Sequence, residues 1–299
     1  MKKTKINAPL GASLVILSSF FYASYGIWTK LMGNSFGGYT ASYLRSILVL
    51  IILVPIVSLS HQWQPIKWKT NWKYLLGMVI SSLFIWGPLY YAILHAGIGL
   101  ALTVNYASII IGVFFFGRLF ANEKLTKDKI ISASVGILGL GLVFLPGTTN
   151  VPLLALIAAV VCGVATAANM IITKKIPYNS SQTTTALWAT SVIANLFMAL
   201  ILGERLPKIG FQAEWGYLIL FALASVIATW SLVKGIKLIE AGVAGLLGLL
   251  EIVFGVIFGV IFFNEHPTPT ALLGVIVIII AAAIPYIRDF NASRGTLSD

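Results

Sequence analysis

The chain has 299 residues, 59% of them hydrophobic and 10% charged, with a mean hydropathy of +0.95 and a net charge of +11. A soluble domain carries about 25% charged residues, so the solvent here is lipid, and continuous apolar runs of ~20 residues fit helices rather than barrel strands. The basic residues are scattered through short loops and form no patch, which excludes nucleic acid as a partner.

Ten apolar segments follow in order: 10–32, 39–60, 74–94, 98–119, 129–146, 152–173, 183–203, 215–234, 241–263 and 269–287. Met1-Lys2-Lys3-Thr4-Lys5 resembles the start of a signal peptide. The apolar run then continues past Trp28 without a small-residue cleavage site, and so reads as the first span. Pro88 interrupts the third segment, where a hinge and a static kink are equally open. Pro146-Gly147 ends the fifth, Pro177 follows the sixth, and Pro267 and Pro269 precede the tenth. Gly136, Gly139, Gly141, Gly242, Gly245, Gly248, Gly255 and Gly259 form small-residue faces that let helices approach. None precedes a Lys at P-loop spacing, which argues against ATP hydrolysis.

The 20 Lys and Arg fix an orientation. Lys2, Lys3, Lys5, Lys67, Lys69, Lys73, Arg118, Lys124, Lys127, Lys129, Lys174, Lys175, Lys234, Lys237, Arg288 and Arg294 fall on one side of a ten-span path, and only Arg205 and Lys208 on the other. Lys30 and Arg45 lie within or at the edge of spans. Positive residues mark the cytoplasmic face, so both termini are cytoplasmic. The sequons at Asn179 and Asn291 fall on that side and are expected to be unmodified.

The same five-segment pattern occurs twice, about 143 residues apart: Trp72-Lys73-Tyr74-Leu75 and Trp215-Gly216-Tyr217-Leu218, Thr29-Lys30 and Thr173-Lys174, Ala96-Gly97 and Ala241-Gly242, Glu123 and Glu265. Odd-numbered halves are antiparallel, so the expected fold is all-α, with ten transmembrane helices in two inverted five-helix repeats. The expected units are 1–147 and 148–290, followed by a cytoplasmic tail, 291–299.

The residues that carry a family resemblance lie mostly in the second half: Ala241-Gly242-Val243-Ala244-Gly245-Leu246-Leu247, Leu250-Glu251, Phe262-Phe263-Asn264-Glu265 and Leu273-Gly274. Ala96-Gly97, Glu123 and Gly136 repeat the pattern more weakly, and Arg45 sits where such proteins carry an arginine. Over about 10–287 the chain resembles ten-span, EamA-type members of the drug/metabolite transporter superfamily. Two departures stand out: Ile252 replaces the mid-span proline, and Asn122-Glu123 and Asn264-Glu265 replace the closing Gly-Glu. The resemblance implies export of amino acids, amines or related metabolites, with proton exchange a common mode.

Glu251 is the one acidic residue deep in a span. Holding a carboxylate there costs a few kcal/mol, so it is read as a proton-coupling group or substrate counter-charge, with a structural tie between helices as the alternative. Arg45 lies two turns into the second span and is read as structural or binding. The repeat places Trp188 opposite it. Tyr22, Tyr25 and Trp28 share a helix face at spacings of three. Tyr25, Tyr90 and Trp230 are candidate cavity residues, as are Asn105, Tyr106 and Asn169, with packing or interhelical hydrogen bonding as the alternative.

Cys162 has no partner for a disulfide, and His61, His95 and His266 lack metal-ligand spacing, so no cofactor or metal is expected. One deep acid without a nucleophile–base pair does not make an enzyme, and phosphorylated solutes would call for more cavity cations than Arg45 and Lys30. The expectation is a secondary transporter in the bacterial inner membrane, with a small-molecule substrate and the lipid bilayer as partners. Two fused halves can form a complete unit as a monomer, with a dimer left open.

Overall fold

A computed structural model describes residues 7–33, 35–65, 67–144, 151–204 and 212–295. Among these there are helices and connecting turns and no strand. The helices are α1 (Ala8–Ala23), α2 (Tyr25–Met32), α3 (Gly38–Leu59), α4 (Trp68–Ala96), α5 (Ile98–Ala121), α6 (Lys127–Phe144), α7 (Leu153–Lys175), α8 (Ser180–Ile201), α9 (Ala213–Ile236), α10 (Ala241–Gly248), α11 (Leu250–Phe263) and α12 (Pro269–Gly295). Lys2, Lys3, Lys5, Pro146, Gly147, Arg205 and Lys208 lie outside the described residues.

As far as they fall within the described residues, the ten apolar segments are helical, and eight of the described helical stretches are long and apolar enough to cross a membrane. Lys127, Asp128 and Lys129 in the first turn of α6 keep it from that set, and the apolar part of α12 is shorter, Pro269–Pro285. The first and ninth segments are each broken once, at Ser24 and Leu249. There the ladder tightens into i→i+3 bonds, from Ile27 N–H to Ser24 O and from Ile252 N–H to Leu249 O, both at 3.0 Å. Pro88 lies inside a continuous α4.

Local chemistry sets the ends. Asn179 caps α8 by accepting the Gln182 N–H at 2.8 Å. α5 and α11 end alike, on left-handed Asn122 (φ 56°) and Asn264 (φ 52°). The following Glu123 and Glu265 N–H groups turn back onto Gly117 O at 3.0 Å and Gly259 O at 3.1 Å.

The packing has a paired character. α1 lies against α9 and α4 against α7; α3 touches α9 and α8 touches α4; α3 packs on α8, and α6 on α12. Each pairing turns into another, or into itself, when every segment of one half is exchanged for the segment at the same place in the other. Ser46 and Ser191, 145 apart, meet through their hydroxyls at 3.1 Å. Between α6 and α12 the backbones touch: a Cβ on Gly274 would lie 2.7 Å from Gly139 O, so only glycine fits. The interior is built of Ile110, Leu140, Leu246, Leu249 and Ile278, with a second cluster around Val15, Ile236 and Leu247. Ile51, Leu138 and Ile261 are more than 60% exposed, as side chains facing lipid tails would be.

Candidate functional site

The helix breaks and the paired packing leave a cavity of ≈ 270 Å³ in the middle of the bundle. Among the described residues its lining holds one carboxylate, Glu251, and one guanidinium, Arg45. Glu251 opens α11, two residues past the break at Leu249, and Tyr106 of α5 is its neighbour. On another wall Arg45 is 2% exposed. Its guanidinium carbon stands 4.2 Å from the Phe221 ring centre, 4.7 Å from Trp86, 5.0 Å from Tyr25 and 5.4 Å from Trp188. Cation–π attraction offsets part of the cost of its charge. Tyr22 bridges to Thr229 at 3.2 Å, and Asn169 donates to Ser81 Oγ at 2.7 Å.

The two ends of the cavity differ. At one end Glu123, 10% exposed, takes Lys174 Nζ at 2.6 Å together with the first backbone N–H groups of α10, Ala241 at 2.7 Å and Gly242 at 3.1 Å. A carboxylate on a helix N-terminus is favourable in charge and satisfies orphan donors. Lys174 also reaches Ile239 O at 2.7 Å, and Lys129 pairs with Glu240. Lys237, just past α9 at this end, donates to Thr183 Oγ1 at 2.7 Å, and burial pushes its ammonium down to about 8. At the other end Lys30 meets Glu265 at 2.9 Å with both side chains more than half exposed. Among the described residues Glu265 takes no backbone N–H of α5. Instead a second cavity of ≈ 340 Å³, lined by Lys30, Ile98, Leu102 and Glu265, runs inward to Tyr22, Tyr106 and Glu251.

Of the residues singled out in sequence, Tyr25, Arg45, Asn105, Tyr106, Asn169, Trp188 and Glu251 line the central cavity. Tyr90 and Trp230 do not. Tyr90 is 54% exposed, with its ring against Gly38 at the start of α3. Trp230 donates to Ser181 Oγ at 3.2 Å and stacks under Lys234, one helical turn on. Aromatic type and depth in the segment placed both inside, but the angular position on the helix puts them elsewhere. Trp86 and Phe221, whose rings face the guanidinium, and Cys162 and Thr229, which line the cavity, are not among the site residues singled out in sequence. Trp86, four residues before Tyr90, was the available signal.

Comparison with known proteins agrees with this architecture. A protein of Helicobacter pylori (strain J99 / ATCC 700824), named "Uncharacterized transporter", is 21% identical over 281 residues, covering 90% of this chain and 92% of its own length. A solved crystal structure superposes with a TM-score of 0.77 at 16% identity, over 92% of this chain and 97% of that one, which speaks to the fold. The EamA-like transporter family matches in two stretches, residues 9–145 and 153–286. A multi-pass helical membrane protein matched over nearly all its length in this way belongs to the EamA-like transporter family.

Proposed function

We propose that the protein is a secondary transporter that exports small metabolites, such as amino acids or amines, from the cytoplasm. It works by alternating access of two inverted five-span halves, with both termini cytoplasmic and with Glu251 as the proton-coupling group. The observation that carries this is Glu251 itself: the one carboxylate of the central cavity among the described residues, next to a helix break, at the junction between that cavity and the passage toward Glu265. An ionisable group in the membrane interior marks an ion or substrate path. The twofold family match and the exchangeable helix pairings support the repeat. The basic-residue count puts Glu123 on the cytoplasmic side and Glu265 outside.

In this reading the structure is outward-facing. The cytoplasmic end is shut by Glu123, Lys174 and the start of α10, and the corresponding pair at the outer end, Lys30 and Glu265, is exposed. The two gates are related by the repeat, Lys30 to Lys174 and Glu265 to Glu123. In the inward-facing state Glu265 is therefore expected on the first N–H groups of α5, at Ile98 and Gly99, while Glu123 lets go of α10. Both states use the same contacts in exchanged halves, so neither needs new chemistry.

The test is flux into proteoliposomes loaded with a pH-sensitive dye, on a panel of amino acids, amines, purine derivatives and organic anions. A solute-dependent pH change lost in Glu251→Gln, with solute binding kept, is the expected result. Unaltered pH-coupled flux in the variant would remove Glu251 from the mechanism, and flux without any pH change would make the protein a facilitator.

A further inference from the structure

Arg45 is better held than it is satisfied. Four aromatic rings face its guanidinium, yet rings attract a cation without accepting hydrogen bonds in its plane. Arg45 forms no ion pair with any described carboxylate, and its buried Nε–H has no acceptor. On the same wall the Trp188 indole N–H, in a side chain 4% exposed, is also without an acceptor. Both residues line the cavity. Two unserved donors, one on a permanent cation, belong to side chains in the wall of a space large enough for a small solute. A buried charge left so is costly unless a matching group is supplied.

We propose that Arg45 and Trp188 form a subsite for the carboxylate of the transported solute. The inference rests on the transport reading and names the chemistry of one end of the substrate. A single guanidinium matches the single charge and planar two-oxygen edge of a carboxylate, which it takes bidentately, with the indole N–H serving a remaining lone pair. A phosphate dianion is disfavoured, because the same cavity contains Glu251 and no second cation. The acceptors lie with Glu251 and Asn105, whose Oδ1 is buried and unpaired, and so suit a donor group elsewhere on the same molecule.

The test is an equilibrium titration read at one atom. Protein ¹⁵N-labelled at tryptophan indoles, in nanodiscs at fixed pH and ionic strength, is titrated with acetate and propionate, and separately with chloride and inorganic phosphate. Trp188→Phe assigns the Trp188 signal. The expected result is a saturable shift of that signal with carboxylates, within the ~mM range of a fragment, that chloride does not reproduce. Arg45→Lys weakens it ten-fold or more while the other indole signals stay in place. No saturable shift up to ~100 mM, the same shift with chloride, or tighter binding of phosphate overturns the proposal in the wild-type protein alone, whatever Arg45→Lys does to the fold. A saturable shift in a protein that carries no flux would refute the transport reading and leave the subsite. Flux without the shift would do the reverse.

Discussion

If the protein faces outward as proposed, replacing Glu123 by Gln should open the end of the cavity that Glu123 closes. Glu123 is nearly buried and makes three charge-assisted contacts, with Lys174 at 2.6 Å, Ala241 N at 2.7 Å and Gly242 N at 3.1 Å. Hydrogen bonds to charged groups contribute about 1.5–3 kcal/mol each, and neutral ones roughly half. Gln keeps the shape, loses the charge and turns one accepting oxygen into a donating NH2, so two contacts weaken and one is lost, roughly 3 kcal/mol in all at the low end. In the opposite state Glu123 faces water and the substitution costs little. The ratio of inward- to outward-facing protein should therefore rise by roughly 150-fold. Glu265→Gln costs this state only an exposed pair, worth about 0.2–1 kcal/mol, but costs the opposite state its cap on α5, so it should shift the ratio the other way. A reporter cysteine at Thr166, which lines the cavity, in a Cys162→Ala background reads this with a membrane-impermeant thiol reagent applied to either face of oriented proteoliposomes. Cytoplasmic labelling that appears with Glu123→Gln and not with Glu265→Gln is the expected result. Equal effects of the two variants, or none from Glu123→Gln, would refute the gate asymmetry.

Other outcomes follow from single contacts. Lys237 has a folded pKa below its ordinary value, so the unfolded chain binds more protons between pH 8 and 10.5 and stability should rise with pH across that window. The full rise is about 3 kcal/mol before its hydrogen bonds to Tyr178 O and Thr183 Oγ1 offset part of it; thermal unfolding in detergent should show it in the wild type and lose it in Lys237→Met. Gly274→Ala puts a methyl group against Gly139 O and Val143 N and should cost about 1–3 kcal/mol, seen as a lower unfolding temperature. Glu204→Ala leaves the Tyr39 and Thr40 N–H groups at the start of α3 without their acceptor, and should cost about 1–2 kcal/mol in the same assay.

Much of this architecture can be read from the chain, because lipid permits so few solutions. Runs such as 98–119 and 152–173 match α5 and α7 to within a few residues, since only a helix satisfies that backbone in hydrocarbon. The depth of Glu251 and the 143-residue relation of Arg45 to Trp188 pointed to residues that line one cavity. The breaks at Ser24 and Leu249 were not legible. Gly26 and Gly248 lie beside them, but Gly87-Pro88 and Pro55 sit in continuous helices, so tertiary packing rather than local propensity decides where the ladder tightens. Tyr90 and Trp230 fail as cavity residues for a related reason: residue type and depth are visible in a sequence, and helix rotation is set by neighbours. Nor could spacing reveal that Glu123 caps α10, 118 residues away.

The most direct test of alternating access between inverted halves is a structure of the Glu123→Gln protein in nanodiscs. The account predicts an inward-facing form in which the Glu265 carboxylate caps the N–H groups of Ile98 and Gly99, Lys30 moves with it, and position 123 has left Ala241 and Gly242. A cytoplasmic opening with Glu265 still away from α5, leaving both ends open, would contradict it.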